Sequence, residues 1–116
     1  MIPESATRVC LFGGSFDPPH MCHLMAAVWA LQTRPIDQIW WVPTYDHAFG
    51  KDLLRFEDRM AMLEAMVARM PANMHVSRIE EELGGVSRTV DTVRALQERH
   101  PDVTFSLLMG ADLVEE

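Results

Sequence analysis

Short apolar runs alternate along the chain with longer stretches whose apolar residues recur every three or four positions. The runs at 8–12, 38–42 and 103–109 have the length of buried strands and are bounded by glycine or proline. The stretches at 20–34 and 56–70 carry their apolar residues at helical spacing, and each ends before a proline. This pattern predicts strands and helices that follow one another in alternation.

Four further segments give weaker signals. Residues 75–77 predict a short strand, and a later helix is expected to start at Ser87 or Thr89, both of which are good N-cap residues. Residues 44–55 have no steady period and predict a loop. The three consecutive glutamates at 80–82 are expected to form a solvent-exposed face.

The alternating order predicts the fold class. Strands that alternate with helices imply parallel strands joined by right-handed crossovers, so we expect an α/β fold with a doubly wound parallel sheet. The length suits a single domain over residues 1–116. No helix follows the last predicted strand. We therefore expect the domain to be incomplete at its C-terminus, or to borrow cover from a partner chain.

Composition excludes several other classes of protein. The 116 residues are 48% apolar and 23% charged, which is ordinary for a globular chain and argues against disorder. No apolar run approaches the roughly 18–20 residues needed to cross a bilayer. The first residues lack a basic region followed by an apolar stretch, so we expect no secretory signal, no membrane contact and a cytoplasmic location.

The charge balance restricts the kind of ligand. Ten basic and 17 acidic residues give a net charge of −7, which argues against a broad nucleic-acid surface. An anion would have to bind at a small local site. Cys10 and Cys22 are not spaced like zinc ligands or a disulfide framework.

The residues with the most chemical potential lie at 13–23, between the first strand and the first helix. The backbone N–H groups of a first helical turn have no partner inside the helix, and together with the helix dipole they attract anions. Gly13 and Gly14 allow a ligand to approach the backbone. His20 and His23 are three residues apart and share one side of the first turn, where imidazoles can donate to phosphate oxygens.

Each of these features also has a plainer explanation. A glycine pair after a strand is usually a turn, and a histidine pair at this spacing is usually an exposed polar patch. A metal site would need a third ligand, and none is evident nearby in the sequence. Their combination within a single strand–turn–helix junction favours a phosphate site.

The same stretch, GGSFDPPHMCH, resembles the signature G-[GT]-[ST]-F-D-P-x-H-x-G-H of the nucleotidyltransferase superfamily, with Cys22 in place of the last glycine. Later blocks resemble nicotinate-nucleotide adenylyltransferases, including S-x-T-x-D-T-[LV] and G-A-D. These blocks lie at 42–43, 56–63, 87–93 and 110–112. The resemblance runs from about residue 8 to residue 113, and the family's later I-S-[ST]-T-x-I-R block is absent.

The resemblance implies a Rossmann-like fold and an enzyme of NAD biosynthesis. Such an enzyme joins AMP from ATP to nicotinate (or nicotinamide) mononucleotide and releases pyrophosphate. The attacking group is the mononucleotide's own phosphate, which is largely ionised at neutral pH, so no protein nucleophile is required. Mg²⁺ is expected to bind to the phosphates without a protein ligand.

The resemblance also implies roles for individual residues. His20 and His23 are the expected catalytic residues, since both would donate to the ATP phosphates. The residues expected to bind ATP or its phosphates are Gly13, Gly14, Ser15, Phe16, Lys51, Gly110 and Asp112. His47 and Thr89 are expected to contact the mononucleotide. Arg59 is expected to support the structure through an ion pair, and Trp40 and Trp41 to face opposite sides of their strand.

Two alternatives stay open. Phosphopantetheine adenylyltransferases and cytidylyltransferases share the first block, although the former usually lack the histidine that His20 supplies. The second alternative is a truncated, non-catalytic form that binds nucleotide or only self-associates, as a homo-oligomer, through its uncovered C-terminal edge.

Overall fold

The computed structural model describes residues 7–45, 54–70, 73–84 and 89–108. Within these ranges no helix is both long and apolar enough to cross a bilayer, and the longest, α1, has 13 residues. The elements, in chain order, are β1 (Arg8–Gly14), α1 (Met21–Thr33), β2 (Gln38–Pro43), α2 (Phe56–Val67), β3 (Met74–Val76), α3 (Ile79–Leu83), α4 (Thr89–Arg99) and β4 (Thr104–Leu108).

The strands form a parallel sheet in the order β3-β2-β1-β4. β1 lies between β2 and β4, so that Cys10 is flanked by Ile39 and Ser106. The chain extends the sheet from β1 to β3 and then crosses back to add β4 on the other side of β1. The predicted α/β class with a doubly wound, Rossmann-like sheet is confirmed. Because the strand order reverses beside β1, its carboxyl end lies where such sheets bind ligands.

Helices cover both faces of the sheet, and successive residues of the central strands contribute to opposite faces. Cys10, Phe12 and Trp41 pack on one face with residues of α1 and α2. The other face carries a second cluster, whose buried members are Val9, Leu11, Val42, Ile79 of α3 and Leu96 of α4. Trp40 packs against this second cluster, so the prediction that Trp40 and Trp41 face opposite sides is confirmed.

The short helix α3 is absent from the sequence prediction. The expectation that residues 80–82 form a solvent-exposed face is wrong for Glu80, which is buried and accepts a hydrogen bond from the Thr92 hydroxyl of α4. The other two glutamates form surface ion pairs with arginines. Five helical residues are too few to show a period, and a buried carboxylate is tolerated because it has a hydrogen-bond donor.

Strand β4 lies at one edge of the described sheet. Leu107 pairs with the buried Leu11 of β1, yet its own side chain is 47% exposed. Apolar surface at a sheet edge favours association with further chain or with another molecule. The homo-oligomer expected through this edge stays a prediction.

Replacing Thr92 by valine should destabilise the protein, because the buried Glu80 carboxylate then loses one hydrogen-bond donor. We expect the free energy of unfolding to fall by about 1–3 kcal/mol, the usual cost of leaving a buried polar group short of a partner. Urea unfolding followed by tryptophan fluorescence measures it. Thr104→Val on the exposed part of β4 is the matched control and should change stability by less than about 0.5 kcal/mol. Equal effects of the two substitutions would contradict this account of Glu80.

Candidate functional site

The turn between β1 and α1 is held by the aromatic ring of Phe16. This residue has a φ of 49°, in the left-handed region that non-glycine residues seldom adopt. The residue is nevertheless only 3% exposed. The centroid of its ring lies 5.4 Å from the ring centroids of Phe12 and Trp41 and 5.0 Å from that of His23. Burial of the ring therefore stabilises a strained backbone conformation, which turns the chain sharply at the carboxyl end of the sheet.

The two glycines that precede this turn are not required by local packing. Apart from its chain neighbours, a Cβ atom built on Gly13 would come no closer than 4.0 Å to the described atoms. One on Gly14 would come within ordinary contact, 3.4 Å, of the Phe16 ring. Both glycines have φ values that other residues adopt. Glycine at these positions therefore keeps the backbone open, as the close approach of a ligand would require.

His20 and His23 cap the first turn of α1 reciprocally. His20 is the N-cap residue, and its Nδ1 accepts a hydrogen bond of 3.2 Å from the backbone N–H of Cys22. The Nδ1 of His23 accepts one of 3.0 Å from the backbone N–H of His20. The ring centroids are 3.9 Å apart. The structure thus brings the two predicted catalytic residues together at the start of the helix.

This capping fixes the state of both imidazoles. A nitrogen that accepts a hydrogen bond carries no proton, so in each neutral ring the proton resides on Nε2, where it can be donated. Partial burial lowers the pKa of His23, and the adjacent His20 lowers it further. The first turn of α1 also contains no acidic side chain. The site therefore offers two Nε2–H donors beside the positive end of a helix dipole.

Arg59 of α2 joins this turn to neighbouring segments. Its side chain is 1% exposed and donates to four backbone carbonyls, those of Ser15 (2.9 Å), Thr44 (2.6 Å), Tyr45 (3.4 Å) and Leu54 (2.9 Å). The ion pairs among the described residues do not include Arg59, so its predicted ion pair stays a prediction. Burial lowers the pKa of Arg59, and the charge of Asp17 opposes that effect.

The remaining predicted site residues are distributed as follows. Thr89 is the first residue of α4, as predicted, and is exposed. Since α4 precedes a strand parallel to β1, it starts at the same edge of the sheet as α1 does. Ser15 is held at its carbonyl by Arg59. His47, Lys51, Gly110 and Asp112 lie outside the described residues.

The position of Arg59 in the site is not predicted from the sequence, although a signal for it exists. In α2 the buried residues are Phe56, Arg59, Met60 and Leu63, and an arginine at that spacing lies on the apolar face of its helix. A guanidinium there needs acceptors. Asp17 is a second missed residue, with its carboxylate accepting a 3.0 Å hydrogen bond from the Leu54 backbone.

We expect His20→Ala to destabilise the protein relative to His20→Asn. Alanine caps a helix poorly and asparagine caps it well, so the difference in the free energy of unfolding should be about 0.5–2 kcal/mol. Thermal or urea unfolding of the two variants provides the comparison. If they proved equally stable, the Nδ1 hydrogen bond of His20 would have no capping role.

Stability should fall as the pH drops below the ordinary histidine value of 6.5. Because the pKa of His23 is lowered in the folded state, the unfolded chain binds more protons in the window between the folded and unfolded pKa values. His23→Gln removes the titration but keeps an acceptor for the His20 backbone N–H. Urea midpoints at pH 7, 6 and 5 should therefore decline less in this variant. An identical decline in both proteins would contradict this role for His23.

Comparisons with known proteins agree with the geometry. Residues 11–116 match the family model described as cytidylyltransferase-like. The chain is 44% identical over 111 residues to a protein of Myxococcus xanthus named "Probable nicotinate-nucleotide adenylyltransferase", covering 96% of this chain and 58% of that protein. It is 46% identical over 112 residues to a protein of the same name from Anaeromyxobacter dehalogenans strain 2CP-1, covering 94% and 59%.

Solved structures give the same result. The nicotinic acid mononucleotide adenylyltransferase of Plasmodium falciparum, complexed with NaAD, superposes with a TM-score of 0.84 at 26% identity, covering 93% of this chain and 54% of that one. Its complex with APC gives a TM-score of 0.79 at 25% identity, covering 93% and 53%. The chain thus spans somewhat more than half the length of these relatives. The resemblance found in the sequence is confirmed, and the chain belongs to the cytidylyltransferase-like family.

Proposed function

We propose that this chain provides the phosphate-binding site for adenylyl transfer from ATP to nicotinate (or nicotinamide) mononucleotide, in the cytoplasmic synthesis of NAD. The observation that carries the proposal is the pair of reciprocally capped histidines, whose Nε2–H groups are free of the capping role and lie at the start of α1. The similarity to nicotinate-nucleotide adenylyltransferases supports the choice of substrates.

The proposed reaction needs positioning more than acid–base chemistry. A phosphate oxygen of the mononucleotide attacks the α-phosphorus of ATP, and the bond to the pyrophosphate oxygen breaks. Because the attacking phosphate is already ionised, no side chain has to remove a proton. The protein must hold two anions in line and stabilise the charge that develops on the transferred group.

The described residues meet these demands at the β1–α1 junction. His20 and His23 donate from Nε2 to phosphate oxygens, and the backbone of Gly13, Gly14, Ser15 and Phe16 borders the same anion. Donors that are fixed before the ligand arrives need no reorganisation during the reaction. Thr89, at the start of α4, would contact the mononucleotide at the same edge of the sheet.

Four expected contacts belong to the proposal although their residues lie outside the described ranges. Lys51, Gly110 and Asp112 are proposed to contact ATP, with Asp112 accepting from a ribose hydroxyl. His47 is proposed to contact the mononucleotide. Each rests on the resemblance of its sequence block to the adenylyltransferases.

Mg²⁺ enters the proposal as an ion carried by the ATP phosphates, whose oxygens are the ligands it prefers. Within the described ranges no three His, Cys, Asp or Glu side chains are grouped so that they could hold a metal. The donors present at the junction are imidazole and backbone N–H groups, which suit phosphate rather than a hard cation. The phosphate itself would therefore be the group that fixes the ion here.

A second candidate function is nucleotide binding without transfer. The described part of the site favours it, because the histidine pair and the backbone of the β1–α1 turn can account for phosphate binding alone. This form would bind ATP at the same histidine pair but would not produce the dinucleotide.

Calorimetry with ATP tests the site directly. The wild-type chain should bind ATP, and His20→Asn should weaken binding by about tenfold or more, since a hydrogen bond to a charged group contributes roughly 1.5–3 kcal/mol. Asparagine keeps the helix cap but lacks the Nε2–H donor, so loss of affinity without loss of stability assigns the donor to the ligand. His75→Asn on the exposed edge strand β3 is the matched control.

Transfer is measured in the same samples. With ATP and nicotinate mononucleotide, chromatography should detect the adenine dinucleotide, and a coupled assay should detect pyrophosphate. ATP binding without the dinucleotide would support the binding-only form. A wild-type chain that binds no ATP, or a His20→Asn variant that binds it as well as wild type, would refute the proposed site.

A further inference from the structure

The guanidinium of Arg59 contacts three separate segments of the chain. It donates to Ser15 in the β1–α1 turn, to Thr44 and Tyr45 after β2, and to Leu54 before α2. These bonds use four of the five N–H donors of an arginine. The side chain is almost completely buried, so its charge is balanced by carbonyl dipoles and by the charge of Asp17 rather than by water.

The bond to Ser15 determines how one peptide unit of the turn is oriented. In a trans peptide the C=O and N–H groups point in opposite directions. Because the Ser15 carbonyl points at Arg59, the N–H of Phe16 in the same unit must point away from the guanidinium. The preceding peptide unit, between Gly14 and Ser15, is fixed in the same way. Its Gly14 carbonyl accepts a 2.9 Å hydrogen bond from the Thr44 backbone N–H, so the N–H of Ser15 points away from β2.

We propose that Arg59 is a positioning residue for phosphate binding: by holding the Ser15 carbonyl, it presents the Phe16 N–H to the anion that His20 and His23 bind. This inference rests on the proposed function, since it concerns the same phosphate site. Arg59 does not touch the ligand. It acts through a single peptide unit of the turn.

Two physical effects make arginine suited to this role. Its planar fork donates in several fixed directions at once, whereas a lysine ammonium is a single point that cannot reach all three segments. A carbonyl that accepts a hydrogen bond from a cation also polarises its own peptide unit, which makes the N–H on the other side a stronger donor. Arg59 thus transmits positive character to the site while its charge stays buried.

The matched pair Arg59→Lys and Arg78→Lys separates positioning from general packing. Both guanidinium groups lie near the Phe56 ring, at 5.5 and 5.8 Å from its centroid, but Arg78 pairs with the carboxylates of Glu57 and Glu81 at the surface. Only Arg59 contacts the turn. Both substitutions conserve charge, so electrostatic effects at long range are matched.

Binding of inorganic tripolyphosphate and of adenosine is measured by NMR titration of each protein. In the wild type, tripolyphosphate should shift the backbone amide resonance of Phe16. In Arg59→Lys the Kd for tripolyphosphate should rise by about tenfold, equal to roughly 1.4 kcal/mol. The Kd for adenosine should stay unchanged, since a purely structural defect would weaken both ligands. The Ser15 carbonyl ¹³C resonance should shift in Arg59→Lys without ligand, and Arg78→Lys should match wild type throughout.

Each outcome decides a different point. Tripolyphosphate binding to Arg59→Lys as tight as to wild type would overturn the role of Arg59 and leave the proposed function intact. If the predicted changes in Kd and in the NMR resonances are seen but no dinucleotide is made, the positioning role of Arg59 is supported and the transfer reaction is overturned. A wild type that does not bind tripolyphosphate would overturn both. If Arg59→Lys does not fold, the wild-type titration decides, and a Phe16 amide that does not respond at saturation overturns the proposal.

Discussion

The candidate site depends on the burial of one aromatic ring in a backbone conformation that is otherwise unfavourable. Phe16 has a positive φ, which a residue with a side chain seldom adopts. Packing of its ring against Phe12, Trp41 and His23 stabilises that conformation. The ring belongs to the core on the α1–α2 face of the sheet, and the backbone of the same residue forms the turn that leads to α1. Loss of core packing at this point would therefore also displace the backbone that is proposed to border the phosphate.

The histidine pair shows how the local structure of a helix start determines chemistry. Each Nδ1 satisfies a backbone N–H that the helix itself cannot satisfy, and this leaves each Nε2 free of the capping role. Serine or aspartate at the N-cap would also satisfy the backbone, but neither would supply an outward N–H. An acidic cap would in addition repel a phosphate. Two histidines are thus a physically economical way to stabilise a helix and to bind an anion at its end.

Much of this arrangement follows from the sequence, for identifiable reasons. The strand β1, the glycine turn and the helix α1 are local features, so apolar runs and capping residues predict them directly. The parallel sheet then follows from their alternation. The burial of Glu80 and the contacts of Arg59 depend on other segments of the chain. The sequence pattern around a charged residue does not distinguish a side chain that is solvated by water from one that is paired with a buried polar group. The reciprocal cap lies between these cases, because spacing predicts a shared side but not which nitrogen is used.

The distribution of charge is compatible with the proposed phosphate site in a chain with a net charge of −7. In the proposed reaction the site must hold ATP tightly enough to orient it and must still release pyrophosphate, a highly charged product. A cluster of exposed cations would bind both ATP and pyrophosphate strongly. Such binding stabilises the bound substrate and product more than it lowers the barrier between them. The two capped imidazoles instead offer N–H donors in fixed directions. A cation held beneath the turn, as Arg59 is at Ser15, adds positive character through an oriented peptide rather than through direct contact. The described residues therefore favour a site in which geometry, more than net charge, distinguishes the transition state from the product.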